Sequence, residues 1–266
     1  MNNFEDIDFR SYYMDIEDKS EQFREDLGHY GEHCCNFDEH FEISWIYHEN
    51  ALDGMVLTYH EIKAAIDEQI VSDVKLIPTY HDVQNLRDCI KLIRHNAKAK
   101  RSRLNLDLIV KLHVMLSEGD HRARPGEWRR DVPLHRSYFH SIAPPEEIVS
   151  LLEKLLRGVS NAEFKRWHPI KQAATFHHEF MRIFPFAKHN GKIGRLLMNY
   201  FLLRGAFLPA VIHSVDRQRY YESLKVQPTQ LRALICEALA NAYDSGSRYL
   251  QENAASPRRI AVGFRR

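Results

Sequence analysis

Apolar residues recur along most of this chain at three- and four-residue intervals, the spacing of one helix face. Thr58 precedes such a run, and Glu61 stands three residues on, so the pair predicts a capping box ahead of Ile62, Ala65, Ile66 and Ile70. Pro78 punctuates, and Thr79 introduces a second run through Val83, Leu86, Ile90 and Ile93. Asn105 or Asp107 starts a third through Leu108, Leu112 and Met115. Arg122 to Ala143 breaks the pattern with Pro125, Gly126 and Pro133, and reads as loop with a short hairpin. Pro144-Pro145-Glu146-Glu147 restores it, because proline and acids suit a first helical turn. Leu151, Leu152, Leu155 and Leu156 follow. Further helices are expected over about 169–182, from about Gly191 to Arg204 with Gly205 as the stop, and over about 217–226 and 230–253. Regular alternation is scarce, so the class is all-α with at most a minor β-hairpin.

Charge divides the chain further. Residues 1–42 hold 13 acids and 3 bases, a net of −10, while the remainder carries +11. This divides the chain into an acidic arm (1–42), a helical domain (43–253) and a basic tail (254–266). The arm reads either as a solvated leader or, given Phe4, Phe9, Tyr12, Tyr13 and Phe23, as short helices docked on the body or on a partner. No apolar run approaches a membrane span, and the acidic start does not read as a secretory signal. Cys34, Cys35, Cys89 and Cys236 show no disulfide framework, so a reducing, cytoplasmic setting is expected. His29, His33, Cys34, Cys35 and His40 cluster without a zinc spacing, so no metal is expected there. No nucleic-acid motif accompanies the basic body, and nucleic acid is not expected as a partner. Self-association stays open.

The most informative segment is Ile183-Phe184-Pro185-Phe186-Ala187-Lys188-His189-Asn190-Gly191-Lys192-Ile193-Gly194-Arg195. A glycine-bearing turn enters a helix whose first N–H groups can attract an anion, and Lys192 and Arg195 add positive charge. Taken alone, this is either an ordinary interhelical turn or a phosphate site. His177 and His178, two turns earlier, read as structural side chains facing another helix.

The segment resembles the motif of the Fic family: a histidine, Pro-Phe, an acid, Gly-Asn-Gly, an arginine and a second arginine. Pro185, Phe186, Asn190, Gly191 and Arg195 match, and Lys192 stands in for the first arginine. The resemblance extends over roughly residues 45 to 230, through Arg124 to Arg129, Pro144 to Glu147, Ala174 to His177, Leu196 to Asn199 and Arg217 to Tyr221. It implies a Fic-fold helical bundle with a small β-hairpin flap at 130–141 that docks a protein target. It also implies a nucleotide or phosphate site at Lys188, His189, Asn190, Gly191, Lys192 and Arg195, with ATP or another nucleotide as ligand.

Three positions depart from the motif. Phe184 replaces the histidine that serves as general base, and a phenyl ring accepts no proton. Lys188 replaces the acid that holds Mg²⁺, so Mg²⁺ is not expected. His189 replaces the first glycine. The resemblance therefore implies a degenerate Fic protein without AMP transfer and with no catalytic residue in the motif. A transferase using another donor, metal-free through Lys188 or with His189 as displaced base, and a protein-interaction module acting through the flap or the arm, stay open. Upstream, Asp53-Gly54 resembles the family's inhibitory Glu-Gly, a regulatory element whose acid reaches the second arginine. Glu49 occupies the place of that motif's Ser or Thr. The expectation is Asp53 facing Arg195, against the plainer reading of Asp53 as a helix cap.

Overall fold

The computed structural model describes residues 8–30, 36–69, 74–99, 103–120, 124–133 and 141–255. The fold is all-α, with no strand among those residues. Most of the flap predicted as a hairpin, 134–140, lies outside the described residues, as do His33, Cys34, Cys35 and positions 256–266 of the tail.

Helix α9 (Asn190–Arg204) occupies the centre, buried without interruption from Lys192 to Leu202. Such a helix has no exposed face to mark, and its apolar run from Leu196 to Leu203 is broken only by Asn199. It packs against α8 (Pro169–Ile183) and α4 (Ile77–Lys98). The long C-terminal α11 (Pro228–Ala255) lies on α8, and α1 (Phe9–Tyr30) lies on α11. Phe9, Ile16 and Phe23 of α1 are buried, and Lys19 pairs with Asp244 at 2.6 Å. The described part of the acidic arm is therefore a docked helix rather than a solvated leader.

Helix α2 (Phe37–Leu52) runs unbroken across residue 42 and packs on α3 (Tyr59–Ile66) and α4. The capping box at α3 forms: Thr58 Oγ1 accepts from the Glu61 N–H at 3.2 Å, and the Thr58 N–H donates to Glu61 Oε2 at 2.7 Å. Helix α5 (Leu106–Leu116) is capped by Asn105, and α6 (Ile148–Ser160) follows a 3₁₀ turn over Pro145–Glu147. The short helices α7 (Ala162–Arg166) and α10 (Arg217–Ser223) complete the described residues. Helix α4 begins two residues before Thr79, with Pro78 inside its first turn, where the missing N–H costs nothing.

Gly205 does follow the last residue of α9, but for a reason other than a left-handed stop. Its φ is −79°, and Ala206 carries the positive φ of 61°. What Gly205 permits is close approach, since a Cβ there would lie 2.5 Å from Pro169 Cγ. Among the described residues, no helix is long and apolar enough to cross a membrane, and no group of three or more His, Cys, Asp or Glu could hold a metal.

The candidate anion site

The loop between α8 and α9 is pinned from three sides. Phe184 ends α8 with φ 50° and ψ 62°, and its ring is buried. Its carbonyl accepts from Arg129 Nε at 2.7 Å, the Ile183 carbonyl accepts from Arg129 Nη2 at 3.2 Å, and the Pro185 carbonyl accepts from the Arg129 N–H at 2.9 Å. The same guanidinium donates to the carbonyls of Asp131 and Ala143, on either side of the flap. One buried arginine thus ties both flap ends to the carbonyls that α8 leaves unpaired. Replacing Arg129 by alanine is expected to cost about 3 kcal/mol or more, since several charge-assisted bonds vanish and buried carbonyls lose their donor. Hydrogen exchange should then accelerate at Phe184, Phe186 and Ala143. Unchanged exchange there would sink this assignment.

Phe186 is clamped between His113, stacked at 3.9 Å, and Trp128 at 5.0 Å. Asn190 closes the turn: its Oδ1 accepts from the Phe186 N–H at 2.9 Å, and its Nδ2 donates to the Phe186 carbonyl at 2.6 Å. A Pro-Phe and an Asn four residues apart are thus needed to shape the turn, whatever it binds. His189 takes the glycine position with φ 64°, a left-handed conformation that costs a non-glycine residue about 1 kcal/mol. Its ring is mostly buried, and Nε2 finds no hydrogen-bond partner among the described residues.

The two cations in the first two turns of α9 point inward. Lys192 Nζ donates to Asn50 Oδ1 at 2.8 Å. Arg195, 1% exposed, donates from Nε to Glu49 Oε2 at 2.7 Å and from Nη2 to Asp53 Oδ1 at 3.3 Å. Glu49 also accepts from Trp45 Nε1 at 3.3 Å. Tyr220 lies beside the guanidinium at 5.5 Å, and its hydroxyl is hydrogen-bonded to His177 Nε2 at 2.9 Å. Burial opposes the Arg195 charge, but Glu49, Tyr220 and Asp53 outweigh it, so the guanidinium stays protonated with its pKa raised. Burial pushes the Glu49 carboxyl up, against the pull of Arg195. The permanent charge of Arg195 at 2.7 Å decides the matter, and the pair is ionic at neutral pH.

This places the expected acid differently. Asp53 does face Arg195, and it is also the C-terminal cap of α2. The shorter and fully buried bond comes from Glu49, one turn earlier on the same face. The four-residue spacing shows that Glu49 and Asp53 share a face, but not which of them meets Arg195. Asn50, Tyr220 and Arg129 have no comparable local sign. A Cβ on Gly191 would lie 2.9 Å from Arg195 Nη1 and 3.5 Å from Asp53 Oδ1, so the ion pair covers the start of α9 where an anion would sit. Lys188, exposed on the outer side, pairs with Asp120. A cleft of about 190 Å³ beside the loop, lined by His113, Trp128, Arg129 and Lys188 among others, falls below the usual range of roughly 300–1,000 Å³ for small-molecule pockets. His177 and His178 are structural as expected, His178 Nε2 donating to the Val226 carbonyl at 2.6 Å.

Three histidines around the site are held neutral. Burial pushes both His113 and His189 down to about 4, assisted by His189 at the first and by Lys192 at the second. Burial and the stacked His213, at 4.3 Å, do the same to His48. Each folded value lies below the ordinary 6.5, so the unfolded chain binds these protons first as pH falls. Stability is whole above about 6.5 and is lost progressively toward 4. The urea midpoint should decline over that window, and less steeply in His113→Phe.

The fold and the loop define a class: a helical bundle whose loop-to-helix turn is covered by an acidic N-terminal helix. Residues 103–202 match the Fic/DOC family. It is 28% identical over 179 residues to a protein adenylyltransferase Fic of Nematostella vectensis, covering 67% of this chain and 42% of that protein. One from Aedes aegypti is 26% identical over 186 residues, covering 69% and 36%. The chain thus spans about two-fifths of the length of these relatives. A Fic domain containing signaling protein from Bacteroides thetaiotaomicron shares the fold at TM-score 0.75 and 22% identity, over 88% of this chain and 97% of that one. Fic-1 from C. elegans does so at TM-score 0.75 and 20% identity, over 91% and 72%.

Proposed function

We propose that this chain is a Fic-fold pseudoenzyme whose phosphate cradle is held shut from within. The observation that carries the reading is the combination at one loop: a buried phenyl ring where the motif has its base, and Arg195 already neutralised by Glu49 and Asp53. AMP transfer needs a proton acceptor on the target hydroxyl, and Phe184 supplies none. The Mg²⁺ of the family does not fit this loop either. Lys188 brings an ammonium to the acid's position, and Lys192 adds another one turn on.

Asn190, Gly191, Lys192 and Arg195 keep the outline of a nucleotide or anion pocket, which opens only if α2 releases its two acids. A protein partner docks, in this reading, through 130–141 or the exposed acids of α1. The test is incubation with labelled ATP and Mg²⁺, alone and with cell lysate, alongside thermal shift with ATP and ADP. Labelled AMP on the chain or on any target above the background of heat-killed protein overturns the proposal. A nucleotide-induced rise in melting temperature without transfer supports it.

A further inference from the structure

A second cleft lies at the far end of α9, roughly 20 Å from the motif loop at 1.5 Å per residue. It encloses about 700 Å³, inside the range that holds organic ligands. Pro169 and Gly205 both line it, where the start of α8 lies close against the end of α9. The walls are aromatic: Phe164, Trp167, Tyr200 and Phe201. Phe164 contacts Trp167 at 5.2 Å and Phe201 at 5.7 Å, so these rings form one continuous surface.

Among the described residues three cations border it, Arg103, Lys165 and Arg204, and no aspartate or glutamate does. They come from separate parts of the chain: the basic connector 97–103, α7 and the last residue of α9. Arg204 is anchored over the Tyr200 ring at 5.7 Å and donates to the Ala99 carbonyl at 3.3 Å, which ties the end of α4 to the rim. Aromatic walls stack flat rings, and guanidinium groups pair with planar or tetrahedral oxyanions. We infer that this cleft binds a small ligand with a flat ring and a phosphate group, of mononucleotide size, independently of the motif loop.

The chain's three tryptophans report on separate places. Trp167 lines this cleft, Trp128 stacks on Phe186 at the motif loop, and Trp45 is buried beside Glu49. Titrating ¹⁵N-labelled protein with AMP should move the Trp167 indole resonance saturably and leave Trp45 in place. The double variant Lys165→Glu/Arg204→Glu should weaken that response at least about tenfold. Both side chains are exposed, and an unmoved Trp45 resonance verifies the fold. Movement of Trp128 alone, no movement of Trp167 at millimolar AMP, or a Trp167 response that survives the charge reversal would each overturn the assignment.

Discussion

Glu49→Ala will remove about 3–5 kcal/mol of folding stability, a large share of the roughly 5–15 kcal/mol a domain of this kind possesses. The reason is the charge left behind. Arg195 is 1% exposed, and its Nε would lose the carboxylate 2.7 Å away while its charge stays buried. Asp53 remains, at 3.3 Å and with its side chain about one-third exposed, and cannot neutralise the group alone. Asp53→Asn should therefore cost less than about 1 kcal/mol, in the range of partly exposed pairs. Glu49→Gln should fall between the two, since its amide oxygen still accepts from Arg195 while its NH₂ group takes the place of the oxygen that accepts from Trp45. Urea unfolding measures all three. If Asp53→Asn costs more than Glu49→Ala, the primacy of the buried pair is wrong.

The second large effect is a gain. Phe184→His/Lys188→Asp/His189→Gly returns the base, the metal-binding acid and the close backbone approach. A positioned base alone contributes roughly 10²–10⁴-fold to a proton transfer. The triple variant is expected to raise Mg²⁺-dependent AMP incorporation at least about 100-fold above the native chain. His189→Gly should also relieve the φ of 64°. Adding Asp53→Asn should raise incorporation further, because α2 then releases Arg195 more readily. A triple variant that folds, binds ATP and still transfers nothing would show that these three positions are not what silences the loop.

Much of the fold was legible because its signals are local. The Thr58–Glu61 box, the Asn105 cap and the Pro-Glu start of α6 lie within one turn of the residues they organise. Helix α7 was missed because five residues are too few for a period to declare itself. Gly205 was placed correctly for an incomplete reason. A left-handed stop and a close approach both call for glycine, and only the neighbouring Pro169 distinguishes them.

The candidate site divides in the same way. Phe184, where the opening resemblance expected a base, is settled by side-chain chemistry alone, because no fold gives a phenyl ring a proton-accepting atom. The turn itself was equally legible, since Asn190 and Phe186 bond within four residues. Which acid meets Arg195 was not. Glu49 and Arg195 are 146 residues apart, and their meeting depends on how α2 seats against the start of α9. Lys188 likewise reads in sequence as a phosphate partner, yet Asp120, from the end of α5, takes its charge. The sequence by itself determined the helices, the loop and the phenyl ring at position 184, all properties of residues or of neighbours. Only tertiary packing decided that the cradle's charges are already satisfied, because an ion pair belongs to whichever groups the folded chain brings within reach.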